Sequence, residues 1–304
     1  MENIEHIVFS GGGVAGFIEY GIIKNLIQLK KINLDKIKSI HGTSVGSWLA
    51  VFLILKYDFE TLDDFIVKRP WKKIFSITPE GMFNVIDEKG LFGVEEVIES
   101  FRPLFEVKNI PTDITLYEFY QLNNIELYFY STNINTVKCE ELSFKSTPNL
   151  KLFDAIHMSS AIPILFKPGI YKEQLYVDGG IFNNYPLDSC VNKIKDDKED
   201  TEIYNNVLGI RFSYDVKEKI NTEVNIQIDF INYLKYMFIG FLDHITNNDK
   251  NESKIKYEIH VPIDKGKLNQ EKFNDIIESQ DSKRELIEAG IGYSQLFLDY
   301  CENS

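Results

Sequence analysis

The spacing of apolar positions divides the chain into alternating strands and helices. His6–Ser10, HIVFS, is a short apolar run of strand length, and FIEYGIIKNLIQLKKI (17–32) repeats apolar residues at helical spacing. IKSIHG (37–42) is a second short strand. SVGSWLAVFLILKY (44–57) is a helix apolar on most sides, and therefore buried. This strand–turn–helix order, given twice, predicts a parallel sheet covered by helices.

The pattern breaks at 63–108, where aromatics mix with turn residues. This stretch reads as loops and helices inserted over one end of the sheet. NIELYFYSTNIN (124–135) resumes the sheet, KLFDAIHMSSAIP (151–163) is a helix stopped by Pro163, and LYVDGGIFNNYP (175–186) is a strand running into a Gly/Asn-rich turn. VLGIRFS (207–213) and YEIHVPI (257–263) are two more strands, and SKRELIEAGIGYSQLFLDY (282–300) is a closing amphipathic helix. The polar stretches 192–206 and 246–256 read as solvated loops. DFINYLKYMFIGFLDHI (229–245) suits either the core or a lipid interface. With no repeat and no Pro/Gly-rich linker, a single domain over 1–304 is expected.

Charge and cysteine content narrow the classes. The formal net charge of −13 and the lack of a basic face argue against nucleic acid as a partner. Cys139, Cys190 and Cys301 fit neither a disulfide framework nor a metal site, so no metal and no cofactor are expected. The first ten residues lack the basic start and long apolar core of a signal peptide. No apolar run is long enough to span a bilayer. The expected location is cytoplasmic or peripheral at membranes. Nothing in the pattern addresses oligomeric state.

Three stretches carry chemistry. Gly42-Thr43-Ser44-Val45-Gly46 is G-x-S-x-G between a strand and a helix, the setting of a nucleophile elbow. Gly42 and Gly46 let strand and helix approach, and Ser44 stands at a helix N-terminus. The same residues would also make a plain βα turn with Ser44 as N-cap. Gly11-Gly12-Gly13-Val14-Ala15-Gly16 fits the dinucleotide pattern G-x-G-x-x-G, but the next strand ends at His41-Gly42 with no ribose-binding acid. The alternative is an oxyanion hole, in which successive amides face the charge that develops on an ester carbonyl. Asp178-Gly179-Gly180 ends an apolar strand. A partly buried Asp there could accept the serine proton, though the tripeptide alone also reads as a turn. A Ser-His-Asp triad would need His244 or His260, neither of which sits in a convincing loop.

Taken together, the glycine-rich loop, G-x-S-x-G and distant D-G-G resemble the patatin-like phospholipase family. FYSTNINT, DAIHMSSAIPILFKP, YVDGGIFNNYPL and LIEAGIGYSQ add to the likeness. The resemblance covers most of 4–189 and implies a mostly parallel α/β sheet sandwiched by helices, with a cap-like insertion at about 63–108. It implies Ser44 as nucleophile, Asp178 as base, and amides of Gly11, Gly12 and Gly13 as the oxyanion hole. Gly16, Gly42, Gly46, Gly179 and Gly180 would support them. The implied reaction is cleavage of fatty-acyl esters of phospholipids at a membrane or micelle surface. A general esterase or transacylase on the same dyad, or a non-catalytic lipid-binding protein, are the alternatives. Ala15 stands where many relatives carry Arg or Lys, and Ser10 where many carry Asp.

Overall fold

The computed structural model describes residues 1, 3–197, 204–214, 255–263 and 276–303. The segment 229–245, with His244, and residues 246–254 lie outside the described residues. The chain begins with β1 (His6–Phe9), α1 (Gly16–Gln28), β2 (Ser39–Thr43) and α2 (Val45–Ile54). Helices α3 (Phe59–Lys68), α4 (Trp71–Ile74) and α5 (Pro79–Glu88) follow, then β3 (Gly90–Phe92), α6 (Val94–Val107) and α7 (Leu116–Asn123). Next come β4 (Glu126–Asn133), β5 (Lys138–Ser143), α8 (Leu152–Ser160), β6 (Ile164–Phe166), β7 (Gly169–Tyr171) and β8 (Gln174–Asp178). The remaining elements are α9 (Leu187–Asp197), β9 (Val207–Tyr214), β10 (Tyr257–Ile263) and α10 (Gln280–Asn303).

The sheet runs β10-β9-β1-β2-β4-β8-β7, with β5 also paired to β4. Every pair from β10 to β4 is parallel; β4–β8, β8–β7 and β4–β5 are antiparallel. The fold is therefore mixed α/β, a central sheet flanked by helices, with a parallel half as the alternation predicted. The centre of that half is apolar because both of its faces are covered: Ile7, Val8, Phe9, Ile40, Leu208 and Ile210 are fully buried. Each such side chain contributes roughly 1.5–3 kcal/mol of burial.

One expectation needs correction, and one is made more definite. Residues 192–197 are not loop but the end of α9, because Cys190, Val191 and Ile194 repeat at helical spacing and pack on Val8 and Val207. The 63–108 stretch is mostly helical. Pro103 lies inside α6, whose Val97, Phe101, Leu104 and Phe105 are buried. That apolar stripe outweighs the cost of one lost backbone hydrogen bond at proline.

Helices α1 and α10 meet at unusually close range. A Cβ added to Gly21 would lie 2.1 Å from the Ile287 carbonyl oxygen, and one added to Gly290 would lie 2.1 Å from that of Ile18. Asn25 Nδ2 donates to Ser294 Oγ at 2.7 Å, and Lys31 reaches Glu302 at 3.2 Å. The two helices therefore run in the same direction, backbone on backbone. Among the described residues, no helix is long and apolar enough to cross a membrane.

Candidate active site

Strand register brings the candidate residues together. Strand β4 pairs with both β2 and β8, with Thr43 opposite Tyr130 and Asp178 opposite Ser131. Ser44 leaves the C-terminal edge of the parallel strands, and Asp178, on a strand running the other way, lies level with it along β4. Their side chains turn toward each other, and the Ser44 hydroxyl pulls the Asp178 pKa downward. Strand β1, paired Phe9 to Gly42, delivers the glycine loop to the same edge.

Ser44 has φ 54° and ψ −124°, a left-handed conformation that costs a non-glycine residue on the order of 1–3 kcal/mol. The surroundings enforce it. The Ser44 N–H donates to Ser159 Oγ at 3.1 Å, and the Ser159 hydroxyl donates to the Tyr130 carbonyl at 2.8 Å. Ser47 Oγ donates to the Ser44 carbonyl at 2.6 Å. Gly42 and Gly46 make the bend possible. A Cβ at Gly42 would lie 2.5 Å from the Gly46 backbone, and one at Gly46 would lie 2.8 Å from Phe9 Cβ. Gly42→Ala should cost several kcal/mol, because the colliding atoms are backbone; a chemical denaturation midpoint close to wild type would contradict this.

Asp178 is 3% exposed. Burial pushes its carboxyl up to about 6, against the pull of the Gly180 N–H at 2.7 Å and of the Ser44 hydroxyl. Gly179 packs where a Cβ would lie 2.1 Å from the Tyr130 carbonyl, and Thr132 Oγ1 donates to the Asp178 carbonyl at 2.9 Å. The histidines play other parts. His41 is buried, stacked on Tyr128 and bonded to the Tyr130 hydroxyl at 2.8 Å. His157 is buried against Phe166, with its pKa lowered to about 4 by burial. His260 sits on β10, three strands from β2, bonded to Glu258 at 2.6 Å. It assembles no triad with Ser44.

The glycine loop needs one correction. The Gly11 N–H is already used, donating to the Asn184 carbonyl at 2.9 Å, while Asn184 Nδ2 donates to the Gly11 carbonyl at 3.0 Å. Gly11 is thus a clamp, not an oxyanion donor. The amides of Gly12 and Gly13 have no acceptor among the described residues. Gly13 has φ 55° and open space at its Cβ position. Gly16 starts α1 against Val45, where a Cβ would lie 2.3 Å from Val45 Cγ2. Sequence reasoning missed Asn184 and Ser159. Asn184 also abuts Gly180, where a Cβ would lie 2.9 Å from Asn184 Oδ1, so it ties the glycine loop to the Asp178 turn. The paired asparagines after D-G-G were the available signal.

From Ser44 an apolar groove of about 180 Å³ opens beside Gly13, walled by Trp48, Phe52, Trp71, Phe75 and Phe166. Trp71 and Phe75 come from the inserted stretch, so that stretch shapes the groove.

A model of patatin-like phospholipases matches residues 7–191, the span that holds both glycine motifs, Ser44, Asp178 and Asn184. The chain belongs to the patatin-like phospholipase family. Among curated relatives, a "probable lipid hydrolase 463L" of Invertebrate iridescent virus 6 is 27% identical over 187 residues, covering 61% of this chain and 62% of that protein. The uncharacterized protein R571 of Acanthamoeba polyphaga mimivirus is 26% identical over 186 residues, 60% of each. The match thus spans about three-fifths of the length of these relatives. Among solved structures, VipD from Legionella pneumophila aligns with TM-score 0.54 over 98% of this chain and 67% of its own, at 17% identity. That last likeness is one of fold.

Proposed function

We propose that this chain is a lipid acyl hydrolase of the phospholipase A type, acting through a Ser44–Asp178 dyad. The observation that supports it best is a serine in a left-handed elbow, with a buried carboxylate held level with it by β4 and acting on it, at the mouth of an apolar groove. Ser44 Oγ attacks the ester carbonyl while Asp178 takes its proton. The amides of Gly12 and Gly13 hold the oxyanion. Collapse expels the alcohol, which carries away the proton from Asp178, and leaves acyl-Ser44. Water, deprotonated by Asp178, then releases the fatty acid. The groove takes the acyl chain. Ile77, two residues beyond Phe75, and Phe182, on the turn after Asp178, are 55% and 50% exposed and suit contact with a membrane or micelle surface. The family and the viral relative's name point to the same chemistry.

Reaction with a fluorophosphonate probe tests this reading. The probe should attach at Ser44, located by peptide mass. The labelling rate should rise about tenfold per pH unit below about 6 and level off above it, because only ionised Asp178 accepts the proton. A folded protein that never labels, or one with a flat profile from pH 4 to 8, would defeat the dyad.

A further inference from the structure

Glu19, in the first turn of α1, is fully buried, and the reaction proposed above makes no use of it. Its Oε1 accepts two hydrogen bonds from one residue, the Ser10 N–H at 3.1 Å and the Ser10 hydroxyl at 3.1 Å. Its Oε2 is buried with no hydrogen-bond partner among the described residues. A bare anionic oxygen in that position is costly, and a hydroxyl much less so. Burial accordingly holds the carboxyl well above the usual carboxylate range, against the pull of both Ser10 bonds. Glu19 is therefore a neutral acid whose acceptor oxygen is engaged wholly by Ser10.

Ser10 is the residue from which the glycine loop departs. That loop has few bonds of its own. The amides of Gly12 and Gly13 have no acceptor among the described residues, and they must stay unpaired to receive an oxyanion. Asn184 clamps Gly11, and the next fixing upstream is Ser10. While its hydroxyl donates to Glu19, the same oxygen accepts the Phe212 N–H at 3.3 Å. The Phe212 ring in turn lies against Gly12, where a Cβ would meet Phe212 Cε2 at 2.4 Å. A chain of contacts thus runs from Glu19 through Ser10 and Phe212 to Gly12. Its neutrality matters, because a carboxylate behind the loop would oppose the negative charge building on the oxyanion. Glu19 is absent from the groove wall, so it can act on the reaction only through the loop.

We infer that Glu19 is a positioning residue for the oxyanion hole: acting through Ser10, it sets the glycine run so that the Gly12 and Gly13 amides converge on the ester carbonyl. This rests on the proposed function and adds to the dyad a side chain on which the rate depends.

The expected signature is a loss in kcat at constant KM. Glu19→Leu keeps the bulk and removes the acceptor. With p-nitrophenyl octanoate its kcat should fall about 10- to 100-fold, the scale of a small misplacement of catalytic donors, with KM within about threefold of wild type. Glu19→Gln offers the same neutral acceptor and should bring kcat back to within about threefold of wild type. Ser10→Ala should lower kcat by about tenfold, and adding it to Glu19→Leu should cost little more, because both break one chain. A folded Glu19→Leu protein with wild-type kcat, a loss that falls on KM, or a Glu19→Gln protein as slow as Glu19→Leu would overturn the inference. Should Glu19→Leu fail to fold, Ser10→Ala and Glu19→Gln decide, and wild-type kcat in Ser10→Ala overturns it. If the wild-type protein hydrolyses no ester, the proposed function falls, and the hold on the loop is read by amide hydrogen exchange. The Ser10 and Gly11 amides should then exchange at least about tenfold faster in Glu19→Leu or Ser10→Ala than in wild type, with α2 unchanged. Equal rates would remove the anchor as well.

Discussion

Ser44→Ala is expected to end ester hydrolysis, with a fall in kcat on the order of 10⁶-fold, the scale seen when a serine nucleophile is removed elsewhere. Nothing else in the groove can replace it. Ser159 is occupied between the Ser44 amide and the Tyr130 carbonyl, and Ser160 donates to the Ile156 carbonyl and receives the Trp48 indole N–H. The fold should persist, because the elbow is held by backbone contacts at Gly42 and Gly46 and not by the hydroxyl. Release of fatty acid from a phospholipid in mixed micelles, read beside a circular dichroism melt, makes the comparison. Hydrolysis within tenfold of wild type by a folded Ser44→Ala protein would exclude Ser44 as nucleophile.

Asp178→Asn should separate activity from stability. Turnover falls by about 10²–10⁴-fold, the usual contribution of a positioned general base. Stability moves the other way. The Asp178 carboxyl has its pKa raised from 3.8 to about 6 in the folded chain. Between those values the native state holds a proton that the unfolded chain has lost. Stability is therefore full below pH 4 and declines as pH rises through 6. The Asp178 contribution falls by about 3 kcal/mol across that window and is constant outside it. An amide never ionises, so Asp178→Asn should melt higher than wild type at pH 8, with the gain vanishing near pH 4. An inactive variant whose melting temperature drops at pH 8 would show that the carboxylate supports the fold and is not a strained base.

Much of this site was legible because its chemistry is written in short contiguous runs. G-x-S-x-G and D-G-G sit where β2 and β8 end, and the apolar spacing placed both strands within two residues. What joins them was not legible. The meeting of Ser44 with Asp178 depends on β4 pairing with both their strands, a fact of register across 133 intervening residues that no local pattern encodes. The antiparallel half was harder for a different reason. β5, KCEELS, has only two buried positions, and β7 has three residues, so neither shows an apolar alternation. The sequence offered Gly11 as a weaker oxyanion candidate beside Gly12 and Gly13. Only the position of Asn184, far along the chain, shows that its amide is spent.

The glycine-to-backbone seam between α1 and α10 has a consequence for when the protein can act. Ser10, just ahead of the oxyanion loop, is anchored by β9, with its N–H on the Ile210 carbonyl and its hydroxyl receiving the Phe212 N–H. The helix after the loop is braced by residues near 290. A growing polypeptide that has passed residue 191 owns its serine, its aspartate and its glycines, but neither brace. The loop is therefore incomplete in a chain that stops near 191, and takes its place only once residues near 210 and 290 have joined it.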